Sequence, residues 1–376
     1  MFGAANSMFR SCLVLWLVAS LACLAQAQTI IWTGAAGDGQ WNNPGNWNQN
    51  RVPNSADSVL IPSGTPAVSL PTSANVASVD CRGSLDVFGP SFGVAGLLRA
   101  VGSVVKIRSG SASLGGIEVL PGSLTTFDID GSVVTTNSVL VTGGTLTIKN
   151  AANVNIFGPL TICPDLIAPG AIAEVDVQGG TFVFANFVQI CPNGELRGSG
   201  IVFAPVFNGG RVVPGGTGGA GLLTISQTYT QQHTGELRIE LGGPIPVSDY
   251  DVLQCDSSAQ LDGLLRVSLI HGFVPFLGEF FDVLTSPFIF GTFTSYALPP
   301  IGPNLSWRVF QFPDRVRLMV IWHPGDLNSD CVVDEADLGI LLGCWGPDAC
   351  GDLDGDLITA ESDLGILLGN WRGVCP

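Results

Sequence analysis

The sequence predicts a mainly β chain: a parallel β-solenoid (β-helix) with a β-rich cap, followed by a small α-helical domain built from a duplicated acidic loop. Three observations predict it. Among 376 residues, Gly 49 and Pro 24 are high counts and charged residues are only 12%, a balance that suits short strands and tight turns better than helices. Stretches such as Gly144–Lys149 and Gly235–Glu240 alternate apolar and polar residues, the pattern of strands with one buried face. Near the end, the segment from Gly325 to Trp345 recurs from Gly351 to Trp371, with 13 of 21 positions identical and no gap.

Residues 1–27 read as a secretory signal. Arg10 supplies a positive n-region, Cys12–Ala22 an apolar run, and Ala25-Gln26-Ala27 a small-residue cleavage site, so that Gln28 begins the mature chain. The apolar run is short for a membrane anchor. A lipid-modified Cys23 is the alternative, although Ser20 stands where such sites carry Leu. The mature chain shows no later span of membrane length, so a secreted or cell-surface location is expected. Eight of the Cys 10 lie beyond the signal: Cys81, Cys163, Cys191 and Cys255 are scattered, while Cys331, Cys344, Cys350 and Cys375 cluster. An even count in an exported chain points to disulfides, and the four clustered cysteines leave three pairings open.

Residues 28–74 form a Trp-rich N-terminal segment. Trp32-Thr33-Gly34, the run Trp41-Asn42-Asn43-Pro44-Gly45-Asn46-Trp47, then Pro53, Asp57 and Val59-Leu60-Ile61 resemble the start of many bacterial surface β-helix proteins. The three tryptophans suit a hydrophobic cap closing the first layer, with a sugar platform as the other reading.

Residues 75–322 are the β-rich region. Short apolar runs such as Val139–Val141 and Phe182–Ala185 recur between Gly, Asn and Pro. Strands this short must stack to bury a core. A right-handed parallel solenoid fits best from about Asn75 to Val213, with a β-sandwich as competitor and no clean fixed-period repeat to decide. From Gly194 to Phe293, the segments Gly194–Gly200, Asn208–Gly215, Thr228–Gln231, Leu237–Gly242, Tyr250-Asp251 and Leu261–Leu265 resemble the closing part of autotransporter-type passenger β-helices. That resemblance implies a solenoid ending in a β-rich cap.

Residues 323–376 concentrate the charge. The formal net charge is −16, or −17 without Arg10; the chain from Gly325 onward holds 11 acids and one base, so −10 of it sits there. Oxygen-bearing side chains occupy positions 1, 3 and 5 of each loop: Asp326, Asn328, Asp330, and Asp352, Asp354, Asp356. Position 7 would add a backbone carbonyl, from Val332 and Ile358. Asp334 stands at position 9 of the first loop, and Asp337 and Asp363 close the two loops at position 12. A hard cation such as Ca²⁺ takes six to eight oxygens in this kind of spacing. Acids this close repel one another, and a bound dication removes that cost.

Leu338, Leu341 and Leu342, and likewise Leu364, Leu367 and Leu368, fit one face of a short helix after each loop, with Trp345 and Trp371 expected to pack the copies together. A loop followed by one helix, repeated, resembles the type I dockerin pattern. The resemblance implies two Ca²⁺ sites and docking onto a cohesin-like or other surface protein. Cys331 and Leu357 replace the usual position-6 glycine, Thr359 replaces an apolar position-8 residue, and Ala360 replaces the position-9 acid. The second site is therefore expected to be the weaker. Glu335-Ala336 and Glu361-Ser362 stand where the family often carries the Ser/Thr pairs read by cohesins.

Only two lysines and no basic patch are present, which argues against nucleic acid as a partner. The leading reading is a non-catalytic β-solenoid docked by its calcium-binding tail, in a polysaccharide-degrading or surface assembly. The alternative is a carbohydrate-active enzyme, a glycoside hydrolase or polysaccharide lyase, targeted by the tail and acting on a polysaccharide. Its candidate acids are Asp128 with Asp130, or Asp249 with Asp251, each pair two residues apart. His233, His271 and His323 are isolated and fit no triad.

Overall fold

The computed structural model describes residues 28–371 apart from 109, 123, 165–172, 302–304, 323–324, 329, 331, 348, 355 and 357. The signal segment, His323, Cys331, Leu357 and Cys375 fall outside the described residues. The chain is mainly β, with two short helices near its C-terminus.

Apart from a C-terminal hairpin the strands pair in parallel, mostly with a strand two or three places away in the chain. One sheet has eleven strands, from Val68–Leu70 through Val104–Arg108, Gly144–Lys149 and Glu236–Leu241 to Ser295–Ala297. The other 22 strands form a second sheet, in which two further columns of parallel pairs end at an antiparallel hairpin. Ser91–Val101 runs through both: its first half pairs with Ala74–Val76 and its second with Ser78–Cys81. Parallel pairing begins at Thr29–Ile31, which lies beside Ser58–Ile61.

Period-2 alternation decides which side chains face inward. In the eleven-stranded sheet, Val68, Leu85, Val105, Phe127, Leu146, Val175, Leu196, Val212, Leu237 and Leu265 are aligned strand to strand. All ten are buried. They form an unbroken apolar row, so each strand's inner face is covered by its neighbours. Several outward residues of this sheet are charged and paired: Glu236 receives both Arg238 and Arg266, and Arg197 reaches Glu174 at 2.7 Å. In another column, Phe184 stacks on Phe203 with centroids 4.5 Å apart, both on the outward side.

The N-terminal tryptophans are core residues. Trp32, Trp41 and Trp47 are all within 1% of complete burial. Trp47 meets Trp32 and Trp41 edge-on at 5.0 and 4.9 Å. The indole N–H of Trp47 donates to the Trp41 carbonyl at 2.7 Å, and that of Trp32 to the Pro66 carbonyl at 2.9 Å. Rings held this way offer no face to a sugar, so the platform reading is set aside. Asp57 is buried beneath a bidentate pair with Arg51, at 2.6 and 2.7 Å.

At the other end the chain reverses. Leu305–Gln311 and Arg315–Trp322 form an antiparallel hairpin whose second strand lies antiparallel on Phe280–Thr285. Two disulfides form among the described residues, Cys163–Cys191 and Cys344–Cys350. Cys81 and Cys255 do not pair; both are buried in the core, and burial pushes the Cys81 thiol up to about 12.

Candidate metal centre

The duplicated segment folds into two similar units. Helix α1 spans Glu335–Gly343 and helix α2 spans Glu361–Gly369. Val333, Leu341 and Leu367 are buried together, with Leu327, Leu338, Leu353, Leu364 and Trp371 packed around them. One helix and loop could bury little alone, and the two copies share this core. The expected apolar helix face is narrower than the leucine spacing suggested. Leu342 and Leu368 are about half exposed and Trp345 is 43% exposed, so of the two tryptophans only Trp371 packs on the shared core. The helices are two and a half turns long, and the second leucine of each Leu-Leu pair rotates past the contact.

Local hydrogen bonding shapes each loop. In the first, Asn328 Oδ1 and Asp330 Oδ1 accept from the backbone N–H groups of Asp330 and Val332, both at 3.0 Å, and Asp326 Oδ1 accepts from Asp330 N at 3.1 Å. In the second, Asp354 Oδ1 accepts from Asp356 N at 3.1 Å and Asp356 Oδ1 from Ile358 N at 2.9 Å. These side chain to backbone turns place alternate carboxylates on the inside of the loop. The Ser362 hydroxyl, followed by the Asp356 backbone, holds the Asp354 carboxyl below its ordinary range.

The closing acids are the most buried. Asp337 and Asp363 are fully buried. Asp337 Oδ1 accepts from Leu327 N at 2.7 Å and Asn328 N at 3.0 Å, and its Oδ2 from Asp334 N at 2.9 Å. Asp363 repeats the arrangement with Leu353 N, Asp354 N and Ala360 N at 2.5, 3.0 and 2.8 Å. Each therefore ties the start of its loop to the start of its helix.

The carboxylate oxygens of Asp326, Asp330 and Asp337 lie within 4.8 Å of one another, as do those of Asp352, Asp354 and Asp356. Both groups are all-oxygen and multiply charged, which suits a hard cation such as Ca²⁺. Asn328, Val332 and Ile358 flank them at loop positions 3 and 7. Asp334 and Asp363 are not in these groups. Asp334 caps α1, its Oδ1 accepting from Ala336 N at 2.8 Å. Ala360, at the same point before α2, supplies no side-chain cap. Thr359 is buried where the first copy has Val333, and its hydroxyl accepts from Gly351 N at 3.2 Å. Its backbone also exchanges two 2.9 Å hydrogen bonds with Gly346, linking the copies. The polar substitution at position 8 is thus satisfied rather than disruptive.

One participant was invisible in the sequence. Arg308, on the capping hairpin, donates from Nη1 to the Asp352 carbonyl at 3.2 Å, with Nη2 3.7 Å from the Asp352 carboxylate. The residues are 44 apart, so no local motif announces them.

The acids considered for catalysis are otherwise engaged. Asp128 faces Lys149 Nζ at 3.4 Å, and Asp130 accepts from Asn150 at 2.6 Å. Asp249 accepts from Ile245 N at 3.1 Å. Asp251 is buried, accepting from Gly221 N at 3.0 Å and Glu240 N at 2.8 Å. Burial pushes its carboxyl up to about 8. His233 is exposed beside Asp262, 3.4 Å away. No helix among the described residues is long and apolar enough to cross a membrane. No protein-family model matches the chain, and no curated protein matches it.

Proposed function

We propose that the tail is a dockerin-type module binding two Ca²⁺ ions, and that it docks a secreted parallel β-solenoid onto a partner at or beyond the cell surface. The observation that carries this reading is the three-carboxylate group in each of the two loops, with a buried aspartate at position 12 of each loop and a nine-residue helix after it. Asp326, Asn328, Asp330, Asp337 and the Val332 carbonyl would hold the first ion. Asp352, Asp354, Asp356, Asp363 and the Ile358 carbonyl would hold the second. Ion binding offsets the mutual repulsion of the carboxylates and fixes each loop against its helix.

The docking role draws support from the apolar residues the module leaves outside. Ile340, Leu342, Trp345 and Leu368 are all more than a third exposed, and exposed apolar groups of this kind favour a partner surface. A cohesin-like protein is the partner class proposed, read through these residues rather than through Ser/Thr pairs. The β region supports the solenoid reading through its three columns of parallel strands and its continuous inner rows. In this reading the β region is a non-catalytic body, and it begins at the first parallel strand after the signal.

Equilibrium dialysis of the mature chain tests the central claim. Two Ca²⁺ per chain are expected, falling to one in either Asp326→Asn or Asp352→Asn. A chain that binds no Ca²⁺ at millimolar concentration overturns the reading. Turnover of any of a panel of plant and algal polysaccharides overturns the non-catalytic part.

A further inference from the structure

We infer that Arg308 is a built-in counter-cation of the second loop, competing with the bound ion for Asp352 and tying the loading of that loop to the contact between tail and hairpin. The inference rests on the two-ion reading above.

The placement of Arg308 carries it. The residue lies in the strand Leu305–Gln311, opposite Met319 of the partner strand. Its side chain is 16% exposed, and that of Asp352 is 8% exposed. The guanidinium sits over the Phe310 ring, 5.0 Å from its centroid, so it is held in place from behind. Nη1 binds the Asp352 carbonyl, while Nη2 is buried, without a hydrogen bond, and directed toward the Asp352 carboxylate at 3.7 Å.

Asp352 is the first residue of the second loop and a member of its carboxylate group. A guanidinium cannot lose its charge. It therefore adds a fixed positive charge at the edge of a site meant for a dication. Without an ion, Arg308 offsets part of the repulsion among Asp352, Asp354 and Asp356. With an ion, Arg308 and the dication repel each other at short range, in a setting partly shielded from water. The same contact joins the tail to the hairpin, so filling the second loop weakens that junction, and the junction weakens the second loop.

Calorimetric Ca²⁺ titration of the full mature chain separates the possibilities, with Asp326→Asn and Asp352→Asn assigning the two sites. Arg308→Met is expected to tighten the second site about tenfold, a modest electrostatic effect for a partly screened pair, and to leave the first unchanged. Arg308→Lys keeps the charge and is expected to stay near wild type. An unchanged second site in a folded Arg308→Met chain overturns the inference. A wild-type chain that binds no Ca²⁺ overturns the two-ion reading instead.

A second readout needs no variant. Amide exchange in residues 305–311 of the wild-type chain is expected to speed up when the second loop fills. It should not respond in Asp352→Asn, where only the first loop can fill. Equal exchange with and without saturating Ca²⁺ overturns the inference.

Discussion

Single residues decide much of this molecule's chemistry, and Asp251 is the clearest case. Its carboxyl, pushed up to about 8, titrates near 3.8 when ordinary. The folded chain therefore holds this proton more tightly than the unfolded chain between those values. The group's stabilising contribution is full below about pH 4 and is lost as pH rises toward 8, with a limiting slope of about 1.4 kcal/mol per pH unit. Melting temperature measured across that window is expected to fall in the wild type and to be flatter in Asp251→Asn. Asparagine keeps one acceptor for the two backbone donors, Gly221 N and Glu240 N, so the variant should also start from a lower baseline. Ala360 offers the opposite experiment. Asp334 caps α1, and Ala360 leaves α2 without the equivalent bond. Ala360→Asp is expected to stabilise the second copy by about 1 kcal/mol, seen as a tighter second site in the Ca²⁺ titration. Both residues stood in plain view in the sequence. Asp251 was read there as a possible catalytic acid, because its burial comes from strands distant in the chain.

At the scale of elements, strands were more legible than their assembly. Gly144–Lys149 alternates visibly and forms a strand over those residues. Val139–Val141 and Phe182–Phe184 also appear where short apolar runs marked them. The repeat was hidden because the turns vary in length. Along the inner row of the eleven-stranded sheet, Leu196 and Val212 are 16 residues apart while Leu146 and Val175 are 29 apart. A fixed-period search fails on such spacing, although strand registry is kept throughout. That registry predicts a cost for any gap in the row. Phe127→Ala, between Val105 and Leu146, should destabilise by about 3–5 kcal/mol, measured by denaturant unfolding. Thr147→Ala, one residue beyond the row on the outer face, should cost far less. In the tail, the Cys344–Cys350 bridge joins the end of α1 to the turn before the second loop. Replacing both cysteines by serine should cost the tail about 2 kcal/mol. Thermal unfolding followed by helical circular dichroism would register it, since α1 and α2 lie in the tail.

For the whole molecule, the tail's duplication and carboxylate spacing were legible because they are local. The relation of tail to body was not, since it depends on Arg308 meeting Asp352 across separate elements. Division of labour between the two regions gives a further expectation. The body has a continuous apolar core running from Ile30 to Val320, while the tail's core centres on three buried residues. On the two-ion reading, chelating Ca²⁺ should melt the helical signal and leave the β signal in place. Loss of both signals together would show that the tail supports the body, contrary to this division.

The reversal at the C-terminal hairpin has a consequence for how these chains behave in company. A stack of parallel strands is a template that a second chain could extend, because each open edge carries unpaired backbone groups. Here Arg315–Trp322 lies antiparallel on Phe280–Thr285 and is itself covered by Leu305–Gln311, so one column ends in an antiparallel hairpin. The other two columns end in strands of only three residues, Ile289–Gly291 and Ser295–Ala297. At the opposite end Trp32 bridges to Trp47, and Gln40 between them bridges to Ser69 in Val68–Leu70. The stack of parallel strands thus closes at its C-terminal end on a hairpin and two three-residue strands, which shortens the edge that a second chain could extend.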